Sequence, residues 1–154
     1  ERGTKTHKYA EDYPQVGLPE TGLEKQIVKF YEELPAHIVI VAKELRMYHK
    51  VYGYAGTADL ILFNTNTNKL IIADFKTNED LYKFPFSNLL PPFDFLPTND
   101  ANKYQIQLSY YQILLEQAGY EVEDRVIIWL KEDEYQKIFC SNFTEDLKQC
   151  LDRN

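Results

Sequence analysis

The stretch KLIIADFKTN, Lys69–Asn78, changes from an apolar strand to a charged end within three residues. Because side chains alternate along a strand, Asp74 and Lys76 share one face, while Phe75 points to the other. The Phe75 side chain then packs away from that face and leaves its backbone carbonyl near it. The stretch therefore predicts a buried strand that ends with an acid, a base and a carbonyl oxygen.

The preceding strand belongs to the same predicted hairpin. NTNTN, Asn64–Asn68, supplies residues typical of a tight turn between VYGYAGTADLILFN and KLIIADF. Asp59 and Asp74 then lie on adjacent antiparallel strands. Two carboxylates and a main-chain carbonyl are hard oxygen ligands of the kind that Mg²⁺ or Mn²⁺ selects. Beside them, Lys76 can stabilise developing negative charge or help to position an attacking water. The alternative is an ordinary ion pair between Asp74 and Lys76 at a strand end.

Gly53 and Gly56 precede Asp59 in GYAGTAD, and two interpretations of them stay open. Glycines at this place let a backbone approach a ligand closely. Glycines in a strand also mark a β-bulge, where one strand carries an extra residue.

Helix and strand patterns continue on both sides of the hairpin. RGTKTHKYAEDY predicts a short helix, and Gly22–Leu34 predicts a second helix capped by Thr21 with Glu24 three residues on. With Asp100 as its expected N-cap, an amphipathic helix follows the long loop after the hairpin. DRVIIWLK and YQKIFC predict two more strands, and TEDLKQCLDR predicts a closing helix.

The predicted order is α-α-β-β-β-α-β-β-α, an α/β (α+β) chain with a mixed central sheet flanked by helices. With 154 residues, 44% of them hydrophobic, the chain is long enough for one core, so we expect a single domain over 1–154. The absence of an initiator Met suggests a fragment of a longer protein.

Composition excludes several classes of protein. No apolar run approaches the roughly 18 residues of a membrane span, so no membrane partner is expected. Two cysteines indicate a reduced, cytoplasmic protein and fall short of the four thiolates of an iron–sulfur cluster. The net charge of −7 argues against a domain that grips nucleic acid by bulk charge.

GYAGTADLI, IIADFKT and YQIQLSYY, in this order, resemble the PD-(D/E)XK nuclease superfamily in its RecB-like branch. That branch includes nuclease domains of bacterial recombinational-repair helicases, mitochondrial single-strand exonucleases and phage exonucleases. The resemblance implies a restriction-endonuclease-like core and a deoxyribonuclease that uses one or two Mg²⁺ or Mn²⁺ ions. It makes Asp59 and Asp74 metal ligands, Phe75 a carbonyl ligand and Lys76 the catalytic lysine.

Further elements of the branch have counterparts in this sequence. Gln107 and Tyr111 match its Gln-x-x-x-Tyr motif, which implies that they hold a phosphate or the DNA strand beside the metal; core packing of Tyr111 is the alternative. Gly3 and His7 match its Gly-Thr-x-x-His pattern, which makes His7 a further metal ligand. Glu44 occupies a place where relatives often carry a glutamate, and it either orients a lysine or a water or simply faces solvent.

DNA contacts are expected from lysines outside this set. The candidates are Lys5, Lys8, Lys83 and Lys103. A solvated helix face is the alternative for the first two.

The loop between residues 78 and 100 is rich in aromatic side chains, which either stack on unpaired bases or form a local hydrophobic cluster. These are Phe84, Phe86, Phe93 and Phe95.

The leading prediction is a metal-dependent DNA nuclease, an exonuclease or single-strand nuclease, acting in phage or bacterial replication, recombination or repair. Its partners would be single-stranded DNA or duplex ends, within a larger assembly. The alternative is a catalytically inactive nucleic-acid-binding or scaffold module with the same fold. A third interpretation is a hydrolase of RNA or sugar phosphates that uses the same metal site.

Overall fold

The structure is a computed structural model that describes residues 2–83 and 86–152. Its helices are α1 (Arg2–Asp12), α2 (Gly22–Glu32), α3 (Asp100–Gln117) and α4 (Thr144–Asp152). Its strands are β1 (Ile38–His49), β2 (Gly53–Asn64), β3 (Lys69–Lys76), β4 (Val122–Leu130) and β5 (Tyr135–Phe139). Every helix and strand predicted within these ranges therefore has a counterpart in the structure.

The five strands form one sheet in the order β1-β2-β3-β4-β5. Neighbours are antiparallel except β3 and β4, which are parallel and joined through α3. The prediction of a mixed α/β chain with a mixed sheet flanked by helices is confirmed. Since β3 and β4 are covered on both faces, residues 70–73 and 126–130 form continuous apolar runs.

The hairpin between β2 and β3 turns where the sequence predicted it. The backbone N–H of Asn68 donates to the Asn64 carbonyl at 2.7 Å, and Asn68 adopts a left-handed conformation with φ +60°. Asparagine tolerates this conformation better than most residues. The turn fixes the register that brings Asp59 and Asp74 to neighbouring positions.

Two hydrophobic layers cover the sheet. The layer under α2 consists mainly of Leu23, Ile27, Phe30, Leu60, Leu62, Ala73, Phe75, Val126 and Ile128. The layer under α3 consists mainly of Met47, Ala58, Ile61, Ile72, Leu108, Tyr111, Leu115 and Ile127. Phe75 belongs to the α2 layer, as its alternation with Asp74 predicted, and its ring packs edge-on against Phe30 at 5.6 Å.

Helix α2 begins at the predicted cap, whereas α3 begins one residue earlier than predicted. Thr21 Oγ1 accepts from the Glu24 backbone N–H at 3.1 Å. For α3 the N-cap is Asn99, whose side chain accepts from the Asn102 N–H at 2.8 Å. Asp100, the expected cap, is instead the first helical residue and accepts a hydrogen bond from the Asn78 side chain at 2.7 Å.

Helix α3 is buried over more of its circumference than one apolar stripe predicts. Ser109 and Gln112 are buried on the side away from that stripe. The Ser109 hydroxyl accepts from the Phe143 N–H at 3.0 Å, and the Gln112 amide oxygen accepts from Arg125. Because α4 and β4 cover this side, the polar side chains buried there need hydrogen-bond partners within the protein.

Helix α1 is fastened to the sheet through its last carbonyls. Lys43 on β1 donates to the Tyr13 carbonyl at 2.5 Å and lies 3.4 Å from the carbonyls of Ala10 and Glu11. The Tyr31 hydroxyl donates to the Ala10 carbonyl at 3.0 Å. A cation at a helix C-terminus is favourable because the unpaired carbonyls carry partial negative charge. This attachment holds α1 over the ends of β2 and β3.

None of the helices in the described ranges is both long and apolar enough to cross a membrane.

Candidate functional site

The carboxylates of Asp59 and Asp74 accept backbone hydrogen bonds just beyond the last backbone pair of β2 and β3. The last paired residues are Leu60 and Ala73. Beyond them, Asp74 Oδ1 accepts from the Asp59 N–H at 2.8 Å, and Asp59 Oδ2 accepts from the Phe75 N–H at 2.8 Å. The two strands are thus joined by side chains in place of backbone carbonyls, which fixes both carboxylates against the backbone.

The imidazole of His7 reaches the same point from α1. Its Nδ1 lies 2.7 Å from the Gly3 carbonyl, and its Nε2 lies 2.7 Å from the Phe75 carbonyl and 3.2 Å from Asp59 Oδ2. All three partners are acceptors, so both ring nitrogens must donate and the ring carries a proton on each. The pKa of His7 is accordingly raised to about 9, chiefly by its hydrogen bond to Asp59 and against the opposing effect of burial.

Asp74 and Lys76 form an ion pair that is largely removed from solvent. Lys76 Nζ lies 3.6 Å from Asp74 Oδ2 and 4.2 Å from the centroid of the Tyr104 ring. Asp74 is only 3% exposed. Burial, followed by the charge of Asp59, raises the pKa of Asp74, and Lys76 acts in the opposite direction. The alternative of an ordinary ion pair at a strand end describes this contact, although burying a carboxylate in this way costs stability.

Glu44 lies beside the site in a strained backbone conformation. The register of the flanking pairs in β1 and β2 places it opposite Asp59, and its φ is +49°. Burial raises the pKa of Glu44, and the charges of Asp59 and Glu11 add to the effect. Left-handed backbone at a residue other than glycine costs of order 1–3 kcal/mol and is concentrated at functional sites. Glu44 is therefore partly shielded from solvent beside Asp59.

Tyr111 is a core residue whose hydroxyl points toward the strand of Asp59. Its ring is buried in the layer under α3. A backbone hydrogen bond from Thr57 reaches the hydroxyl, while burial, followed by the charge of Asp74, raises the pKa of Tyr111. The ring of Tyr111 therefore packs in the core, while its hydroxyl lies near the two carboxylates.

Gln107 lies one turn earlier on α3 and is exposed. The surface of α3 at this turn faces solvent. An exposed amide remains accessible to a ligand that approaches this end of the sheet.

Strand β2 is irregular near Gly56. The register changes from Met47 opposite Gly56 to Tyr48 opposite Tyr54, so β2 carries one extra residue at this place. The β-bulge is confirmed. Gly56 lies against the Tyr111 hydroxyl: a Cβ at Gly56 would lie 2.1 Å from that oxygen.

The four candidate DNA-contacting lysines lie on three different elements. Lys5 and Lys8 are exposed on α1, Lys83 in the loop after β3, and Lys103 on α3. Lys8 is paired with Asp12 at 3.2 Å and with Glu11 at 3.6 Å on its own helix. For Lys8, the interpretation as a solvated helix face describes the observed contacts.

The loop phenylalanines divide between the two interpretations. Phe93 is buried and packs edge-on against Phe143 at 5.6 Å, and Phe95 lies 6.2 Å from the same ring. Phe93 therefore belongs to a local hydrophobic cluster, whereas Phe95 contacts the same ring but is 60% exposed. Phe86 is exposed, and Phe84 lies outside the described residues.

His7, Asp59 and the Phe75 carbonyl offer nitrogen and oxygen donors of types that divalent cations bind, once His7 gives up a proton. Within the described ranges, no three or more His, Cys, Asp or Glu side chains lie together in an arrangement that could hold a metal ion. His7 and Asp59 converge with the Phe75 carbonyl, while the Asp74 oxygens face the Asp59 N–H and Lys76. The separations around His7 Nε2, 2.7 and 3.2 Å, are those of hydrogen bonds.

The chain matches no protein-family model and no curated protein sequence.

Proposed function

We propose that this chain is a Mg²⁺- or Mn²⁺-dependent DNA nuclease of the PD-(D/E)XK superfamily, with a restriction-endonuclease-like core of the RecB-like type. The observation that carries the proposal is the convergence of His7, Asp59 and the Phe75 carbonyl beside the buried Asp74–Lys76 pair. Three separate segments of the chain supply these groups. A buried acid with a raised pKa in such a cluster is typical of a functional site.

The residues that would hold one or two ions are His7, Asp59, Asp74 and the Phe75 carbonyl. A divalent cation bound there supplies Lewis-acid stabilisation of a phosphodiester and favours ionisation of water. Lys76 Nζ donates to a phosphate oxygen or holds the attacking water, and Tyr104 restricts its position through the ring contact. The exposed Gln107 amide offers a further donor to the phosphate.

The expected substrate is DNA with single-stranded regions or free duplex ends. The protein would act in the cytoplasm of a bacterial or phage-infected cell, as part of a larger replication or recombination assembly. Digestion of end-labelled single-stranded, double-stranded and circular DNA with Mg²⁺ and with Mn²⁺ tests this assignment. We expect cleavage of linear DNA in both metals and none in chelator. Cleavage of circles would favour an endonuclease over an exonuclease.

Replacing Lys76 by alanine is expected to reduce cleavage by about 10²–10³-fold, because the variant loses a donor aimed at developing negative charge. Lys131 is a matched control, since its Nζ lies 4.2 Å above the Trp129 ring, as Lys76 lies above Tyr104. Lys131→Ala should keep wild-type activity. Equal activity of the two variants would show that Lys76 does not contribute to cleavage.

Metal binding is expected to release protons at neutral pH. His7 has a pKa of about 9 and is protonated at pH 7, and burial raises the pKa of Asp74. Both groups must lose their protons to become ligands, so the apparent affinity for Mn²⁺ rises with pH, by about tenfold per unit for each displaced proton. This dependence ends above the pKa of His7.

Calorimetric Mn²⁺ titrations in buffers with different ionisation enthalpies measure the released protons directly. His7→Gln should release fewer protons, whereas His37→Gln, at the other end of the sheet, should behave as wild type. Binding whose heat is independent of the buffer would contradict the assignment of His7.

The inactive binding or scaffold module is favoured by one specific observation. The imidazolium of His7 already donates to the Phe75 carbonyl and to Asp59, so this part of the cluster is satisfied without a metal. Such a module has no reason to bind Mn²⁺ there. An Asp59→Asn control in the same titration separates the two functions, because only the nuclease site loses metal affinity with this change.

A further inference from the structure

An exposed pair of tyrosines lies on the hairpin of β1 and β2, close to its turn. Tyr48 and Tyr54 are 59% and 60% exposed, and their rings meet edge to face at 5.7 Å. The Tyr54 hydroxyl is hydrogen-bonded to Thr57 Oγ1 at 2.8 Å, which restricts the ring. We call Tyr48, Tyr54 and the neighbouring Arg46 the tyrosine platform.

The platform faces away from the core for a reason visible in β1. Met47 and His49 alternate with the platform residues and are buried. His49 is held there by the backbone N–H groups of Val51 and Tyr52, which donate to its Nδ1 at 3.1 and 3.2 Å. With these residues fixed on the α3 side, Arg46 and Tyr48 must point to the other face.

The same face leads directly to the candidate site. Along β1 the residues on this face are Tyr48, Arg46 and Glu44. Tyr48 pairs with Tyr54 and Arg46 with Thr57 on β2, and the flanking pairs place Glu44 opposite Asp59. Four residues of strand separate Tyr48 from Glu44, a distance of about 13 Å. The platform is therefore continuous with the position of Asp59 and His7.

The chemistry of the platform matches a single strand of nucleic acid. Aromatic rings on a sheet surface stack on unpaired bases, and every base offers a π-face for this contact. Arg46 is exposed, and within residues 2–83 and 86–152 it has no carboxylate at ion-pair distance. A guanidinium in this state is available to a backbone phosphate.

We propose that the tyrosine platform binds unpaired bases of single-stranded DNA and directs the strand along β1 toward Asp59 and His7. The inference rests on the proposed nuclease function and specifies its substrate. Tyr48 and Tyr54 supply the stacking surfaces, and Arg46 contacts the phosphate between the platform and the site. The aromatic loop after β3, with Phe93 and Phe95 packed on Phe143, is not needed for this contact.

The test is binding of a labelled oligothymidylate of about 12 nucleotides to the full chain in chelator, followed by fluorescence anisotropy. Replacing Tyr48 and Tyr54 together by alanine should weaken binding at least tenfold, because each stacked base contributes about 5- to 150-fold. The double phenylalanine variant keeps both rings and should bind as wild type. Tyr120→Ala is the matched control, since Tyr120 is 56% exposed but follows α3 at the far end of the sheet.

Three further measurements do not depend on the folding of the double alanine variant. An abasic strand should bind wild-type protein at least tenfold more weakly than thymidylate does, and blunt duplex of equal length should bind more weakly than the single strand. Arg46→Ala should reduce the slope of log affinity against log salt by about 0.7. Equal binding of abasic and thymidylate strands would overturn the platform.

The outcome separates this inference from the nuclease assignment. If wild-type protein binds single strands through the tyrosines but cleaves no DNA with Mg²⁺ or Mn²⁺, the platform stands and the nuclease function is rejected. If the protein cleaves DNA and the alanine variant binds and cleaves as wild type, the nuclease stands and the platform is rejected. Association of the chain with itself through these tyrosines, without DNA binding, would also overturn the proposal.

Discussion

Replacing Asp74 by asparagine is expected to abolish cleavage and, at the same time, to make the protein more resistant to denaturation. Activity should fall by about 10²–10³-fold or more, because the variant lacks a carboxylate beside Lys76 and the proposed ion. Asparagine has nearly the same shape, and its Oδ1 still accepts from the Asp59 N–H that Asp74 engages at 2.8 Å. Loss of activity with a folded protein is therefore the expected result.

The gain in stability follows from the direction of the pKa shift. Burial and the charge of Asp59 raise the pKa of Asp74, so the folded state binds this proton more tightly than the unfolded state does. Folding is then favoured at acidic pH and penalised as the pH rises through the raised pKa. Asparagine carries no such penalty. Its advantage should be absent below about pH 4 and complete in mildly alkaline solution, where we expect roughly 2 kcal/mol, or about 5 °C in Tm.

Urea denaturation of both proteins at pH 4, 6 and 8.5 measures this difference. Asp133→Asn removes the same charge from an exposed loop position and should change stability little at any of these pH values. A variant that is less stable than wild type at pH 8.5 would show that the Lys76 ion pair, at 3.6 Å, outweighs the cost of burying the carboxylate. Stabilising changes at a site that keeps a costly charge commonly reduce activity.

The fold was largely predictable because its signals are local. The apolar run before Asp74, the turn Asn64–Asn68 and the cap at Thr21 each act through the backbone of adjacent residues, and each lies where the sequence predicted it. The side-chain alternation around Phe75 also needed only strand geometry. The same alternation placed the Phe75 carbonyl within reach of His7.

The rest of the site depends on contacts between distant segments. The proton on His7 follows from three acceptors in three different elements, and no pattern around Gly3 or His7 reveals their positions. The left-handed conformation of Glu44 and the exposure of Gln107 likewise depend on packing with neighbouring elements. Asn99 displaced Asp100 as the cap of α3 because the Asp100 carboxylate is engaged by Asn78, twenty-two residues earlier.

Replacing Gly56 by alanine is expected to produce the largest loss of stability among small substitutions near the site. The added Cβ would lie 2.1 Å from the Tyr111 hydroxyl oxygen and 2.9 Å from the ring carbon that carries it. Tyr111 is buried in the core and has no room to retreat. Overpacking of this kind costs about 1–3 kcal/mol or more. The displaced β2 also carries Asp59, and a shift of about 1 Å at a reacting group costs about 10²-fold in rate.

A double-mutant cycle with Tyr111→Phe identifies the collision as the cause. Phenylalanine lacks the oxygen nearest to the added Cβ, so the double variant should be more stable than the sum of the two single changes by about 1–3 kcal/mol. Gly53→Ala is the matched control: Gly53 also has positive φ, at +81°, but nothing in the described part of the chain lies within 4 Å of an added Cβ. Its cost, about 1–2 kcal/mol of backbone strain, should be unaffected by Tyr111→Phe. If Gly56→Ala and Tyr111→Phe were additive in urea denaturation, backbone conformation rather than contact with Tyr111 would explain the need for glycine.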